Sequence, residues 1–188
     1  MGSLFSKTLN NSRDVIVYTP PSYYENTLKS IKNVLVMHDG QNLFNASTSF
    51  AGVAWECQKT LDTLINVGSM EEVFVVGLYN TPNRIAEYTY STDPKYGGGK
   101  GNLYLDFIQN EAIPYVAQKF RVLTGRENMG ILGSSLGGLI SCYAGWTRSN
   151  IYKKNGCMSS SFWWNNVFFF APFLSLHKIF SSKISTTQ

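Results

Sequence analysis

The chain has 188 residues, about the size of one domain and enough to bury a core without disulfide or metal staples. Hydrophobic residues make up 44% and charged residues 15% of the sequence, which excludes the disordered, collagen-like and coiled-coil classes. The net charge of +4 arises because all 12 carboxylates precede residue 128, whereas Lys and Arg residues continue into the tail. Because this imbalance is not a basic stripe along one element, we predict no nucleic-acid partner.

The cysteines and histidines suggest no metal site. Cys57, Cys142 and Cys157 are widely spaced in sequence and predict neither a disulfide framework nor a set of metal ligands. The two histidines also stand apart, so we expect no metal and no other cofactor. No apolar run approaches the roughly 18 residues of a membrane-spanning helix, and no secretory pattern opens the sequence. We therefore expect a protein without a membrane span in the reducing cytoplasm, and we predict no particular oligomeric state.

Short β-branched runs alternate with segments of helical period, a pattern typical of α/β proteins. In chain order, strands are predicted at residues 14–19, 33–38, 73–79, 129–132 and 155–159, and helices at residues 55–67, 103–119 and 136–146. Pro114 is expected to kink or split the second of these helices. The polar, aromatic and glycine-rich stretch 81–101 is long for an ordered loop, so it is a candidate rim of a functional site.

A G-x-S-x-G motif, from Gly133 to Gly137, lies between a predicted strand and a predicted helix. This context is typical of a nucleophile elbow, in which flanking glycines keep side chains clear of a tight turn and expose the central serine. Ser135 is therefore the candidate nucleophile, and the free amide of Leu136 at the helix N-terminus is a candidate oxyanion donor. The alternative is a turn rich in glycine and serine that carries no catalysis.

A second polar segment, His38-Asp39-Gly40-Gln41, directly follows the predicted strand 33–38. Hydrolases with a nucleophile elbow need a second oxyanion donor in a loop at this place. A polar β-turn with Gly40 at a position of positive φ is an equally good explanation.

Several spaced stretches resemble the "putative esterase" family of α/β hydrolases, which includes esterase D, feruloyl esterases, enterochelin esterases and mycolyltransferases. The stretches that carry the resemblance are residues 14–25 (DVIVYTPPSYYE), 38–44 (HDGQNLF), 87–89 (EYT), 96–106 (YGGGKGNLYLD), 126–138 (RENMGILGSSLGG) and 158–164 (MSSSFWW). The resemblance implies an α/β-hydrolase fold, a three-layer sandwich with a mostly parallel sheet. It also implies a serine esterase that acts on a small-molecule ester through an acyl-enzyme.

Roles for individual residues follow from the same resemblance. Ser135 would be the nucleophile, and the backbone amides of Gln41 and Leu136 would form the oxyanion hole. His38, Asp39 and Gly40 would support the loop that carries Gln41. The Trp163-Trp164 pair would line the acyl or alcohol pocket, although aromatic side chains that simply fill the core are an equal alternative.

The end of the sequence departs from the family pattern. In α/β hydrolases an acid and then a histidine follow the nucleophile, but no Asp or Glu follows Glu127. His177 is the sole later histidine, and it lies in a segment without family resemblance. We hypothesise that residues 167–188 are non-family sequence, such as a retained intron or a frameshift.

These observations divide the chain into an N-terminal segment (residues 1–11), an incomplete hydrolase domain (12–166) whose C-terminal part is missing or replaced, and a divergent tail (167–188). Two alternatives to an active esterase stay open. One is a catalytically impaired fragment or non-catalytic family member that acts by binding. The other is an acyltransferase, which would use the same acyl-enzyme.

Overall fold

The computed structural model describes residues 2–165, and its centre is a six-stranded mixed sheet. In chain order the strands are β1 (Gly2–Ser6), β2 (Asn11–Tyr18), β3 (Asn33–His38), β4 (Val73–Leu78), β5 (Thr92–Asp93), β6 (Gly97–Gly98), β7 (Met129–Ser134) and β8 (Lys154–Met158). The helices are α1 (Cys57–Asn66), α2 (Arg84–Glu87), α3 (Gly101–Phe107), α4 (Ile113–Lys119) and α5 (Leu136–Thr147). Strands β5 and β6 form a separate two-stranded ribbon.

The strand order of the main sheet is β1-β2-β4-β3-β7-β8. Strands β4, β3, β7 and β8 are parallel, whereas β1 and β2 pair antiparallel at one edge. In the central register Val36 pairs with Val76 on one side and with Ile131 on the other. Because β3 and β7 are parallel neighbours, the loops that follow His38 and Ser134 leave the sheet at the same edge.

Helices cover both faces of the sheet. On one face, Leu61 of α1 packs in a cluster with the buried side chains of Met37 and Val75. On the other face, residues from α3 to α5, including Leu139, join a larger core with Ile131. The predicted α/β class and three-layer arrangement are thereby confirmed. Among residues 2–165, no helix combines the length and the apolar character that crossing a bilayer requires.

The structure contains all the predicted strands and helices, with ends shifted by a few residues. The predicted effect of Pro114 is also confirmed, because a π-helical turn, Ile108–Ala112, separates α3 from α4 and Pro114 lies in the first turn of α4. The chain stays helical through this turn, and the extra residue of the π-helical turn accommodates a proline, which has no N–H to donate to the preceding turn. Strand β1 was not predicted. Its residues alternate poorly between buried and exposed, and pairing with β2 fixes its place.

The cysteines differ from the prediction. Cys142 of α5 and Cys157 of β8 form a disulfide with their Cα atoms 5.8 Å apart, whereas Cys57 is free. The expectation that no disulfide forms is therefore wrong. The pair was missed because α5 and β8 bring together two cysteines that the sequence alone does not relate. Disulfides persist in oxidising compartments, so one argument for a cytoplasmic location is lost.

Candidate active site

Ser135 occupies the turn between β7 and α5. Its φ of 57° and ψ of −122° lie in a region that residues other than glycine rarely adopt. Two backbone hydrogen bonds hold this conformation: the Ser135 N–H donates to Met158 O (3.1 Å), and the Ser161 N–H donates to Ser135 O (3.1 Å). The Ser135 side chain is exposed at the carboxyl edge of the sheet. This geometry is the strained strand-to-helix turn of a nucleophile elbow.

The glycines of the motif allow close contact between the elbow and its neighbours. A Cβ on Gly133 would lie 2.6 Å from the backbone carbon of Gly137 and 2.7 Å from Cδ2 of His38. A Cβ on Gly138 would lie 2.8 Å from Met158 O, the acceptor of the Ser135 N–H. Side chains at these positions would push the turn off both β3 and β8, so the glycines are required by packing.

The Ser135 hydroxyl has one side-chain partner in residues 2–165. Its Oγ lies 3.1 Å from Oγ of Ser161, and either hydroxyl can donate. Ser161 is buried, in the loop that follows β8. No imidazole or carboxylate of the described part of the chain forms a hydrogen bond to Ser135 Oγ. His177, the sole histidine that follows Ser135 in the sequence, lies outside the described residues.

His38 is fully buried beneath the elbow and does not contact the Ser135 hydroxyl. Its Nδ1 lies 2.9 Å from the hydroxyl of Tyr104, and its ring packs against the rings of Tyr88 and Tyr104. Burial, partly offset by the charge of Asp39, lowers the pKa of His38 to about 4. The imidazole is therefore neutral at pH 7. Its packing against Gly133 and Gly137 makes it a support for the elbow.

The loop after β3 forms a 3₁₀ turn, Gly40–Asn42, that presses against β4. A Cβ on Gly40 would lie 2.7 Å from the backbone carbon of Gly77, so no larger residue fits there. Within this turn the Asn42 N–H donates to Asp39 O (2.9 Å) and the Leu43 N–H donates to Gly40 O (3.3 Å). Neither bond uses the Gln41 N–H, which leaves it available as a donor.

The elbow and the loop after β3 meet at the edge of the sheet. Oδ2 of Asp39 lies 3.5 Å from the position that a Cβ on Gly137 would occupy. As the first residue of α5, Leu136 has an N–H that no carbonyl of its own helix can accept. The helix dipole also favours negative charge at this end.

The structure separates the two tryptophans. Trp164 is 1% exposed, belongs to the core, and donates from Nε1 to Ser91 O (2.9 Å). Trp163 is 60% exposed, and its ring packs edge-to-face on Tyr96 with centroids 6.3 Å apart. The core alternative therefore describes Trp164, whereas the ring of Trp163 is open to solvent. Both tryptophans lie in the loop after β8, in which the Ser161 N–H donates a hydrogen bond to Ser135 O.

A groove of about 530 Å³ lies on the α1 face of the sheet, next to Ser134. Apart from Thr60 and Ser134, its walls are apolar: they are formed by Leu35, Met37, Trp55, Cys57, Leu61, Leu132 and Met158. The elbow thus has an apolar surface on one side.

A mostly parallel sheet between two helical layers, with an exposed serine in a strained turn at its carboxyl edge, defines the α/β-hydrolase class. The sequence matches the family described as "Putative esterase" over residues 6–183. The chain belongs to this family. The matched range begins within the predicted N-terminal segment 1–11 and extends into the predicted divergent tail, residues 167–188.

Individual relatives agree with this assignment. The uncharacterised protein YbbA of Bacillus subtilis is 31% identical over 171 residues, which cover 88% of this chain and 63% of YbbA. A siderophore triacetylfusarinine C esterase of Aspergillus fumigatus is 34% identical over 92 residues, covering 48% of this chain and 31% of that protein. The chain thus spans less than two thirds of either relative.

Solved structures show the same fold. An IroE-like serine hydrolase from Shewanella oneidensis superposes with a TM-score of 0.69 at 23% identity, over 94% of this chain and 54% of that one. The enterobactin esterase of Shigella flexneri superposes with a TM-score of 0.68 at 20% identity, over 87% of this chain and 37% of that one. The predicted α/β-hydrolase fold is therefore confirmed.

Three residues near the site were not singled out from the sequence: Ser161, Asn80 and Arg84. Ser161 lies within the family-like stretch 158–164, and Arg84 lies in the loop 81–101 that was proposed as a rim. Their contacts with Ser135, Asp39 and Gln41 span dozens of residues, so only the folded chain relates them.

Proposed function

We propose that this protein hydrolyses small carboxylic esters and that Ser135 is the nucleophile. One observation carries the proposal: an exposed serine hydroxyl sits in a strained turn at the N-terminus of α5. In this mechanism Ser135 Oγ attacks the ester carbonyl, a base takes its proton, and the alcohol leaves with a proton. Water then cleaves the acyl-enzyme and regenerates the serine.

The negative charge that develops on the carbonyl oxygen needs fixed donors. We assign the N–H groups of Leu136 and Gln41 to this role, because each comes from a loop at the same edge of the sheet and neither is used by its own turn or helix. His38, Asp39 and Gly40 would act through the packing that holds these loops. Removal of one such donor from a hydrolase costs about 10²–10³ in kcat.

The general base is not assigned among residues 2–165. His38 is buried and makes its hydrogen bond to Tyr104 rather than to Ser135. His177 is the sole histidine that follows Ser135, but it lies in the predicted divergent tail and is not assigned as the base. An oxyanion hole alone still accelerates the reaction by about 10³–10⁴ over water in a triad-deleted enzyme, and this residual rate does not need the serine. Turnover that depends on Ser135 therefore requires a base.

A specific observation favours a second candidate, a family member that binds a ligand without turning it over. The partner of Ser135 Oγ is another hydroxyl, Ser161, and a hydroxyl is a poor proton acceptor at pH 7. On this account the exposed ring of Trp163 and the apolar groove beside Ser134 would bind the ligand. Acyl transfer to an alcohol is a third outcome of the same intermediate.

The test is turnover of a p-nitrophenyl acetate series by the 188-residue chain and by Ser135→Ala, after circular dichroism shows that both fold. The substrate panel includes triacetylfusarinine C, after the esterase that is 34% identical over half of this chain. We expect turnover that the alanine variant lacks. Equal rates for the two proteins would overturn the proposal, and transfer of the acetyl group to added glycerol in preference to water would identify an acyltransferase.

A further inference from the structure

Asp39 is the residue on which the loop after β3 turns. Its φ of 55° lies in the left-handed region, which costs a non-glycine residue roughly 1 kcal/mol. Its carbonyl accepts the Asn42 N–H of the 3₁₀ turn, so the direction of the turn depends on Asp39. Surrounding contacts must therefore hold this residue in its strained conformation.

Arg84 is the first residue of α2, and its guanidinium group binds the Asp39 carboxylate. The guanidinium Nε donates to Oδ1 at 2.7 Å and Nη2 donates to Oδ2 at 2.8 Å, a two-pronged arrangement that fixes the plane of the carboxylate. The Asp39 N–H donates to the hydroxyl of Tyr88 (3.2 Å), and the guanidinium carbon lies 4.9 Å from the centre of that ring. Backbone and side chain of Asp39 are thus held from one neighbouring segment.

Asn80 connects the Arg84–Asp39 ion pair to Gln41. Its Nδ2 donates to Oδ1 of Asp39 at 2.7 Å, and its backbone N–H donates to Oε1 of Gln41 at 3.2 Å. The Asp39 carboxylate is buried, so these donors replace the hydrogen bonds to water that it has lost. Although burial opposes it, the hydrogen bond and charge of Asp39 raise the pKa of Arg84, which keeps the guanidinium charged.

From these contacts we propose that Arg84 is a positioning residue: by clamping Asp39 it sets the direction of the Gln41 N–H. The inference rests on the proposed function for its catalytic consequence, since Gln41 is there an oxyanion donor. Arg84 itself does not touch the reacting atoms. Lysine cannot replace it fully, because an ammonium group cannot make the two-pronged contact.

The test compares Arg84→Met and Arg84→Lys with the control Arg148→Met. Arg148 also pairs with a carboxylate, Asp106 at 2.9 Å, and its side chain is 22% exposed against 28% for Arg84, but it lies away from the site. Hydrogen exchange is measured at the Asn42 and Asn80 amides, whose acceptors are Asp39 O and Gln41 Oε1. The amides of β7 serve as the reference for global stability.

We expect Arg84→Met to increase the exchange rate at Asn42 and Asn80 at least tenfold more than it increases the rate in β7. Arg84→Lys should increase this ratio of rates by a smaller factor, and Arg148→Met should leave it unchanged. With an ester substrate, kcat of Arg84→Met should fall 10- to 100-fold while KM stays within threefold. Unchanged exchange ratios would overturn the inference whether or not the chain turns over esters. Faster exchange with an unchanged kcat would also overturn it, whereas loss of the Ser135 dependence alone would overturn the proposed function.

Discussion

Ser135 and Ser161 are joined twice: their Oγ atoms lie 3.1 Å apart, and the Ser161 N–H donates to the Ser135 carbonyl. The loop after β8 thus holds both the backbone of the candidate nucleophile and its hydroxyl. Substitution of Ser161 by alanine removes the side-chain bond and leaves the backbone bond intact.

We therefore expect Ser161→Ala to lower kcat about tenfold with little change in KM, because a freely rotating hydroxyl is aligned for attack less often. Ser160→Ala is the matched control. The Ser160 hydroxyl is buried without a hydrogen-bond partner in residues 2–165, so its removal should leave turnover within twofold. Steady-state kinetics on both variants decide the matter, and equal losses would count against a role for Ser161.

Gly133→Ala should destabilise the folded chain, because the elbow has no room for a Cβ at this position. The new Cβ would meet the backbone of Gly137 at 2.6 Å, which no change of rotamer relieves. We expect a loss of about 2 kcal/mol or more in the free energy of unfolding, measured by urea titration.

Gly125→Ala is the control for this substitution. Its φ of −67° is ordinary, and the nearest atom to its Cβ, Nδ2 of Asn128, would be 3.5 Å away. It should be neutral or stabilising by about 0.4–1 kcal/mol. Similar losses in the two variants would mean that the elbow is not closely packed.

The buried imidazole of His38 should make stability depend on pH. Its pKa is about 4 in the folded chain and 6.5 when exposed, so between these values the unfolded chain binds more protons. Stability is then complete above pH 6.5 and decreases as the pH falls towards 4. We expect His38 to account for roughly 2 kcal/mol of lost stability between pH 7.5 and pH 5.

His38→Gln removes the titrating group and keeps a polar side chain beside Tyr104. Its urea-unfolding free energy should be lower than that of the parent at pH 7.5, but it should vary less with pH. A parallel pH dependence in parent and variant would show that His38 does not titrate in this window.

The two tryptophans should respond differently to alanine. Trp164→Ala empties a fully buried site and is expected to cost about 3–5 kcal/mol of stability. Trp163→Ala removes an exposed ring and should leave the melting temperature nearly unchanged while raising KM for aryl esters several-fold. Thermal unfolding and kinetics on both variants test this, and a KM unaffected by loss of Trp163 would remove it from the binding surface.

Local patterns predicted the centre of this protein well. Strands β3 and β4 are short runs rich in valine and, like β7, are largely buried. The glycines around Ser135 predict the elbow from the sequence alone. Strand β1 could not be predicted, because it has no buried alternation of its own and is fixed by pairing with β2.

The unpredicted parts of the site are tertiary contacts between distant residues. Arg84 and Asp39 meet across 45 positions in sequence, and nothing local to either residue indicates the pair. The Cys142–Cys157 disulfide likewise depends on α5 folding back along β8. In contrast, Trp163 and Trp164 are adjacent in sequence, and only their burial distinguishes the core residue from the exposed one.

The most direct test of the central claim is labelling of the 188-residue chain with a fluorophosphonate, read by intact mass and peptide mapping. The reagent forms a bond between phosphorus and a nucleophilic serine Oγ as fluoride leaves, so it reports the same activation that ester attack needs. We predict one label, on Ser135, that is absent from Ser135→Ala and present in Ser134→Ala. A folded chain that stays unlabelled, or a label on another serine, would contradict the assignment of Ser135 as the nucleophile.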